Sequence, residues 1–198
     1  NTSNSLLQGI VNSTNITSTG SGSSTFEDIV TTTNLVLNNG NMTFNEDLNS
    51  INTTIGSGRL NLDKNLLGTT VNFTNTLGEL NLNDGANVDV TNLGVDTTKG
   101  NLNIAGNSNI SGDINLKNIN ITGANQVVNL KDDVNAIRTT ISNSTVNFNQ
   151  DSGNTTTNLV FDGNGVANLY EGITGDINFA GNDGVVNVKE EKNVENSK

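Results

Sequence analysis

The side chains that could do acid, base or metal chemistry in this chain are carboxylates, because the sequence contains neither histidine nor cysteine. Without those two residues the usual general bases, nucleophile dyads and nitrogen or sulfur metal sites are excluded. Adjacent carboxylates occur at Glu27-Asp28, Glu46-Asp47 and Asp132-Asp133. Neighbouring residues of a strand point to opposite faces, so such a pair can act as acid and base together only in a loop. The residue types therefore favour a protein that is not an enzyme.

A calcium site is the second chemical possibility. The run Asp162-Gly163-Asn164-Gly165, followed by Glu171, resembles part of an EF-hand loop. Its alignment puts Val160 at the first ligand position, where an oxygen ligand is required, and residues 159–161 have the pattern of a strand. The glycine-rich nonapeptide of calcium β-rolls is absent as well. A turn with a solvated aspartate is the favoured interpretation, and we predict no specific metal site and no cofactor.

Polysaccharide cleavage and ice binding are two further activities that repetitive β-proteins can carry. A polysaccharide lyase needs a groove with several basic side chains, whereas Arg59, Lys64 and Lys99 are isolated in this sequence. A shared fold alone does not give an activity. An ice-binding face needs stacked threonines, and the threonine pairs do not recur at one repeat spacing; they are Thr17/Thr19, Thr31/Thr33, Thr74/Thr76 and Thr155/Thr157. Neither activity is favoured.

The composition points to many short strands joined by tight turns. Only 32% of the 198 residues are hydrophobic and 4% are aromatic, which is too little for a conventional globular core. Disorder is disfavoured because only 15% of the residues are charged and proline is absent. Asparagine, glycine, serine and threonine, which suit turns and strands, make up much of the remainder. The net charge of −11 argues against nucleic acid and anionic membranes as partners.

A triplet of an apolar residue, asparagine and another apolar residue recurs along the chain. Strict alternation is the period of a strand, so we expect the apolar side chains to point inward and the asparagine outward. Stacked asparagines can then hydrogen-bond from one repeat to the next. The triplets begin at Leu60, Val71, Leu80, Leu102, Ile114, Ile119, Val128, Val146, Ile177 and Val186, with looser versions at Met42, Val88 and Leu159.

The spacing of the triplets predicts an all-β fold, a right-handed parallel β-helix with about 20 residues per coil. One ladder of inward positions is predicted at Met42, Leu60, Leu80, Leu102, Ile121, Ile141, Leu159 and Ile177. A second ladder is predicted at Val128, Val146, Val166 and Val186, with a less regular extension back to Val88 and Val71. An antiparallel sandwich or barrel is the alternative, but the low aromatic content and the near-constant step disfavour it.

We treat the chain as one unit over 1–198, and the regularity of its repeat divides it into three segments. We predict irregular N-terminal coils over 1–38, regular coils over 39–188 and a charged tail over 189–198. Glycines two residues before a ladder position are expected to turn coil corners with positive φ; they are Gly40, Gly58, Gly78, Gly100 and Gly175. The segment 131–138 lacks the triplet and is expected to form a loop or one helical turn. A loop on a regular rod is where specificity is expected, so Asp132, Asp133 and Arg138 are the residues we expect to touch any partner.

The repeat resembles sequences of a known family. The run Thr174-Gly175-Asp176-Ile177-Asn178-Phe179-Ala180-Gly181-Asn182-Asp183-Gly184-Val185-Val186-Asn187-Val188 is similar to repeats in type V autotransporter passengers. More narrowly, it resembles the rickettsial surface-antigen autotransporters, including the outer-membrane-protein-B group. The resemblance rests on repeat style over roughly 39–188. It implies a β-helical passenger whose signal peptide and outer-membrane barrel would lie outside this sequence.

The resemblance implies a place and a role for the chain. We expect it at the bacterial cell surface or outer membrane, or secreted after cleavage, as a passenger segment of an adhesin. Its partners would be a host-cell surface protein or a sibling passenger molecule, with no direct membrane insertion by this segment. A self-associating structural scaffold is the first alternative, and a polysaccharide-active β-helix enzyme is the second. No binding motif of the family maps onto individual residues here, so we predict no catalytic, cofactor-binding or metal-binding residue.

Overall fold

A computed structural model describes residues 4–149, 153–180 and 183–189 and the backbone of 194–195, and in that part of the chain the regular structure is entirely β. In chain order the strands are β1 (Ser5–Leu7), β2 (Val11–Ser18), β3 (Ser23–Phe26), β4 (Val30–Leu37), β5 (Asn41–Phe44), β6 (Leu48–Ile55), β7 (Arg59–Leu62), β8 (Leu66–Phe73), β9 (Glu79–Leu82), β10 (Val88–Leu93), β11 (Asn101–Ile104), β12 (Ser108–Thr122), β13 (Val127–Leu130), β14 (Val134–Ser142), β15 (Thr145–Phe148), β16 (Thr155–Phe161), β17 (Val166–Leu169), β18 (Ile173–Thr174), β19 (Ile177–Asn178), β20 (Val185–Val188) and β21 (Val194–Glu195). The described residues include no helix that is long and apolar enough to cross a membrane.

The strands stack in parallel, each on the strand one turn earlier and one turn later. Thus β6 pairs with β4 and β8, and β15 pairs with β13 and β17, all in parallel. Stacked positions lie roughly 19 residues apart over about nine turns. Parallel strands of this kind bury apolar side chains against the equivalent residues of the neighbouring turns. The predicted β-solenoid is confirmed, and its right-handed sense stays a prediction.

The core is a column of apolar side chains that alternate with outward polar residues. In β5, β9, β11 and β15 the second and fourth residues are buried while the first and third are partly exposed. Phenylalanines stack from turn to turn: the ring centroids of Phe26 and Phe44, within the core, are 4.7 Å apart, and those of buried Phe161 and 40% exposed Phe179 are 5.1 Å apart. The alternation in the sequence therefore sets the burial of each strand.

The first predicted ladder is confirmed from Met42 to Leu102 and is wrong beyond it by two residues. Leu102 stacks on Ile119 and not on Ile121, and Ile119 then stacks on Thr139 and not on Ile141. Thr139 stacks on Leu159, after which the row rejoins the prediction. Both Ile119 and Ile121 point inward, so their hydrophobicity does not distinguish the two registers.

The second predicted ladder is confirmed from Val128 to Val146 and is wrong at Val166. Val146 stacks on Ala167, which is buried, whereas Val166 points outward. The stacked positions Val146 and Ala167 are 21 residues apart, one more than the predicted step to Val166, and Ala167 then stacks on Val186, where the row rejoins the prediction. The extension to Val88 and Val71 is also wrong, because those residues stack in other rows.

The arrangement of long strands and loops within a turn changes at β12. In the N-terminal turns the long strands β4, β6 and β8 each carry inward residues on two faces, and the third face is a short strand. Residues 108–110 of β12 pair with β13, residues 110–114 with β10, and residues 118–121 with β11. In later turns β14 and β16 are the long strands, and they continue across the corner that earlier turns cross with a loop. Loops on that corner therefore end abruptly at β12.

The predicted boundaries compare unevenly with the strand pairing. In the described part of the segment 1–38, β1 pairs with β3 and β2 pairs with β4 over several consecutive positions, and the division of the chain at residue 38 stays a prediction. These first strands are less buried than later ones. Of the predicted tail 189–198, only Lys189 and β21 lie within the described residues, and β21 pairs with β18.

The corner glycines follow the prediction in part. Gly40, Gly100 and Gly175 have positive φ, at 79°, 74° and 135°, as expected. Gly58 and Gly78 do not, and they are needed for a different reason. A Cβ at Gly58 would lie 2.7 Å from the Leu37 side chain, and one at Gly78 would lie 2.5 Å from a backbone oxygen. The corner is too close to the previous turn for any side chain there.

Outward asparagines hydrogen-bond from turn to turn along the rod, as the sequence predicted. In one row each side-chain Nδ2 donates to the Oδ1 of the residue one turn earlier, over distances of 2.7–3.0 Å; the row is Asn187, Asn168, Asn147, Asn129, Asn109, Asn87, Asn65 and finally Asp47. A second row runs from Asn120 through Asn103, Asn81 and Asn61 to Thr43. These bonds add side-chain links to the main-chain pairing of the turns.

Candidate functional site

The loop 94–100 stands out from the rod. Leu93 stacks on Ile114 and Asn101 stacks on Asn118, so the loop spans with seven residues a corner that the next turn spans with three, 115–117. Its two ends are held to that next turn. The N–H of Lys117 donates to the Lys99 carbonyl at 2.8 Å, and a Cβ at Gly94 would lie 2.1 Å from a carbonyl oxygen of the next turn. The surplus residues must therefore project outward.

A local network orders the tip of this loop. The Asp96 carboxylate accepts hydrogen bonds from the backbone N–H of Thr98 at 2.9 Å and from its hydroxyl at 2.7 Å. The Lys99 ammonium lies 3.1 Å from the other carboxylate oxygen. Hydrogen bonds from Thr98, with a smaller contribution from Lys99, lower the pKa of Asp96 from 3.8 to about 2. The turn is thus fixed by an ionised aspartate at neutral pH.

The loop overhangs an open cleft of about 530 Å³ on the C-terminal side of β12. Thr97 lines it from the loop, together with residues from three later turns. Its floor is a row of stacked outward residues, Asn135, Thr156 and Thr174. The cleft exists because the corner loops of the N-terminal turns stop at β12, which leaves the later strands recessed beneath the last loop.

The wall of the cleft combines one aliphatic and two polar side chains. Ile137 is 47% exposed and presents its aliphatic side chain on the surface of β14. Asn158 and Asp176 stand beside it, and the Asn158 side chain accepts the backbone N–H of Asp176 at 3.1 Å. The lining includes a single carboxylate among the residues that the structure describes, so a two-carboxylate glycosidase mechanism is not available there. The arrangement can bind by hydrogen bonding.

The segment 131–138, predicted to be a loop or one helical turn, is instead a coil corner followed by a strand, and the contact of Asp132, Asp133 and Arg138 with a partner stays a prediction. Residues from Val134 onward belong to β14. Asp132 accepts the backbone N–H of Gly112 at 2.7 Å in the turn before, and Asp133 accepts that of Asn154 at 2.6 Å in the turn after. Both aspartates therefore hold neighbouring turns together. Arg138 is exposed and stacks next to Asn158 at the edge of the cleft.

The other adjacent carboxylates also bind neighbouring turns. Glu27 accepts the Gln8 side-chain amide at 2.7 Å, and Asp28 accepts the backbone N–H of Gly9 at 2.7 Å. Asp47 accepts hydrogen bonds from Asn65, while its neighbour Glu46 is exposed. The aspartate of each pair thus accepts a backbone N–H of a neighbouring turn, because an unpaired backbone N–H at a coil corner needs an acceptor.

The calcium-like run and the threonine pairs have structural places. Residues 162–165 form the turn between β16 and β17, where the N–H of Asn164 donates to the Asn143 side chain at 3.0 Å. Within the described ranges no three His, Cys, Asp or Glu side chains are grouped closely enough to hold a metal ion. Thr155 and Thr157 point inward and are buried, so this pair is not part of a surface array.

The sequence held a signal for the loop that the analysis of motifs missed. The step from Leu80 to Leu102, seen also as the 22 residues between Asn81 and Asn103, is the longest in the first ladder. The next step, between Asn103 and Asn120, is 17 residues. A long step followed by a short one indicates an insertion in a single turn, and here that insertion is the loop.

Comparison with known proteins adds no relative. No family model matches the chain, and neither the curated proteins nor the solved structures yield a match. The resemblance to autotransporter passengers therefore stays a prediction that rests on the repeat.

Proposed function

We propose that this chain is an exposed passenger segment of a bacterial surface protein and that it acts in attachment to another cell. The observation that carries the proposal is the contrast between the stacked turns of the rod and a projecting, internally ordered loop, 94–100, above a polar cleft. A rod that only separated two other domains would not need that loop. A loop fixed on a rigid scaffold is the common arrangement of binding sites.

The surface chemistry supports a binding role over a catalytic one. Most carboxylates with described partners bind backbone or amide groups at coil corners, as Asp28, Asp84 and Asp133 do. The pKa of Asp96 is lowered by hydrogen bonds within its own turn. Catalytic acids usually have a raised pKa in a cleft. The chain is therefore better suited to presenting a surface than to transforming a substrate.

The stacked architecture suits display outside a cell. The chain has no cysteine, so its stability comes from the core column, parallel pairing and the asparagine rows instead of from disulfides. Each turn is supported by its neighbours, which gives a rigid rod that can hold a binding face away from a cell surface.

Binding of the purified chain to cells tests this proposal. Beads coated with the chain should bind host or sibling cells in a saturable manner. A variant in which the loop 94–100 is shortened to the three-residue corner of the next turn should bind much less. Ile51→Ser, in a separate groove of the N-terminal half, should bind as the unaltered chain does. Absence of cell binding would contradict the proposal, and concentration-dependent light scattering without cell binding would favour a self-associating scaffold.

A further inference from the structure

The main chain of the cleft is closed to a peptide partner. The floor strand β14 pairs with β12 and β16, and β16 pairs in turn with β18 and β19. A peptide that binds by strand addition needs a free edge with unpaired N–H and C=O groups. These strands have none, because each lies inside the stack. Recognition in the cleft must therefore come from side chains.

Those side chains are small, polar and exposed. Hydroxyls of Thr156 and Thr174, the amide of Asn158 and the carboxylate of Asp176 all reach solvent. The lining contains no aromatic residue and no arginine, the residue types that dominate protein–protein hot spots, and Ile137 is its one large apolar side chain. The cleft offers hydrogen bonds at several points and one aliphatic surface, which is a poor match for a protein anchor residue.

The charges in and around the cleft restrict the kind of ligand further. The cleft lining has one carboxylate and no cation, in a chain of net charge −11, and Arg138 lies at the edge of the cleft and not in its lining, so the lining itself disfavours an anionic ligand. The nearby Lys99 ammonium is already 3.1 Å from Asp96. One carboxylate is too little to hold a cation of high charge. The ligand that fits is uncharged and rich in groups that both donate and accept hydrogen bonds.

From these observations we infer that the cleft binds an uncharged saccharide, an inference that rests on the attachment function proposed above. Sugar hydroxyls donate to Asp176 and the amide oxygens and accept from threonine hydroxyls and amide N–H groups. The C–H face of a sugar ring packs on Ile137. The volume of about 530 Å³ lies within the range of small-ligand sites, about 300–1,000 Å³. Thr97 lines the site on the side of the loop 94–100.

Oligosaccharide binding to the whole chain is the test. The probes are neutral hexose and N-acetylhexosamine oligomers, with sialylated and sulfated oligomers as the anionic comparison. Thr156→Val and Asp176→Asn should each weaken neutral-oligomer binding by about tenfold, the effect of losing one good hydrogen bond. Thr17→Val is the matched control, since Thr17 is an exposed strand threonine far from the cleft, and it should leave binding unchanged. A thermal melt of each variant checks that it folds.

The outcomes separate this inference from the attachment function. Neutral binding that Thr156→Val and Asp176→Asn weaken would support the inference. Failure of every neutral oligomer to bind, or binding by both variants as tight as that of the unaltered chain, would overturn it. On cells, sensitivity to glycosidases would indicate a glycoprotein source, and binding to isolated neutral polysaccharide would indicate a free polymer. Cell binding that survives glycan removal would overturn the saccharide ligand and leave attachment standing, whereas absence of cell binding would overturn both.

Discussion

Asp47 accepts two hydrogen bonds from Asn65 on the next turn, one from the backbone N–H at 3.1 Å and one from the side-chain Nδ2 at 3.0 Å. Asn65 is the first asparagine of the long row that continues through Asn87 and Asn109. All amides of this row point their N–H groups toward the N-terminal end of the rod. Aligned amide dipoles place partial positive charge at that end, as in a helix. The Asp47 carboxylate stands where an N-cap stands on a helix.

Removing this cap should destabilise the rod. Asp47→Ala leaves the Asn65 side chain and backbone N–H without their acceptor, so we expect a loss of about 2 kcal/mol in the free energy of unfolding. Asp47→Asn keeps an acceptor oxygen, so its free energy of unfolding should lie between those of the unaltered protein and Asp47→Ala. Urea unfolding measures the three proteins. The control is Glu46→Ala, which removes the same charge from an exposed neighbour and should change stability by less than about 0.5 kcal/mol. Equal losses in the two alanine variants would show that net charge, and not capping, matters.

Breaking the row in its middle should also be measurable. Asn129 donates to Asn109 and accepts from Asn147, each at 2.7 Å. Asn129→Ala removes both bonds, and we expect it to cost about 1–2 kcal/mol in urea unfolding. The exposed strand residue Asn12 provides the comparison, and Asn12→Ala should cost little. A loss at Asn129 no larger than at Asn12 would mean that the row contributes no stability.

The buried threonines of the core should behave as a coupled pair. The hydroxyls of Thr139 and Thr157 lie 3.0 Å apart, and both residues are almost fully buried. Thr139→Val or Thr157→Val alone strands a buried hydroxyl and should cost about 1–3 kcal/mol, whereas the double variant removes both partners and should cost less than the sum. A double-mutant cycle in urea measures the coupling, and strictly additive losses would contradict it.

The loop turn should have a distinctive acid titration. The pKa of Asp96 is lowered to about 2, so the ionised carboxylate stabilises the turn fully above the ordinary value of 3.8. This contribution is lost as the pH falls through about 2, where the folded group takes up its proton. A carboxyl NMR titration should give the low value, and Thr98→Val should raise it toward 3.8 because it removes the largest cause. An ordinary pKa in the unaltered protein would show that the turn is not formed.

Much of the fold could be predicted from the sequence because the inward positions alternate strictly and recur every turn. What the repeat could not determine is register wherever two inward residues flank one outward residue. Ile119 and Ile121 satisfy the same hydrophobic rule, and the main-chain pairing alone selects Ile119. Thr139 also made the row harder to recognise, because a buried polar residue at a core position interrupts the hydrophobic pattern. The altered strand arrangement at β12 could not be predicted for the same reason.

The site is harder to predict than the fold because it depends on the length of one loop and not on a motif. The missing triplet at 131–138 drew attention to Asp132 and Asp133, whose side chains bind backbone groups of adjacent turns. The residues of the cleft are ordinary threonines and asparagines that become a site only when a loop from another turn covers them. Thr97 is separated from Thr156 in sequence but lines the same cleft. Such a site depends on three-dimensional stacking.

Cysteine cross-linking across neighbouring turns tests the stacking most directly, and the chain has no native cysteine to interfere. Asn103 pairs with Asn120 where β11 and β12 stack, the place where the observed register differs from the one predicted from the sequence. Stacked strands about 4.8 Å apart are within reach of a disulfide bond. Oxidation of the Asn103→Cys, Asn120→Cys variant should join the two peptides in a mass spectrum. The Asn103→Cys, Thr122→Cys variant, two residues along the strand, should remain reduced. Cross-linking of the second pair in preference to the first would contradict the register, and cross-linking of neither pair would contradict the stacked rod on which the loop and cleft depend.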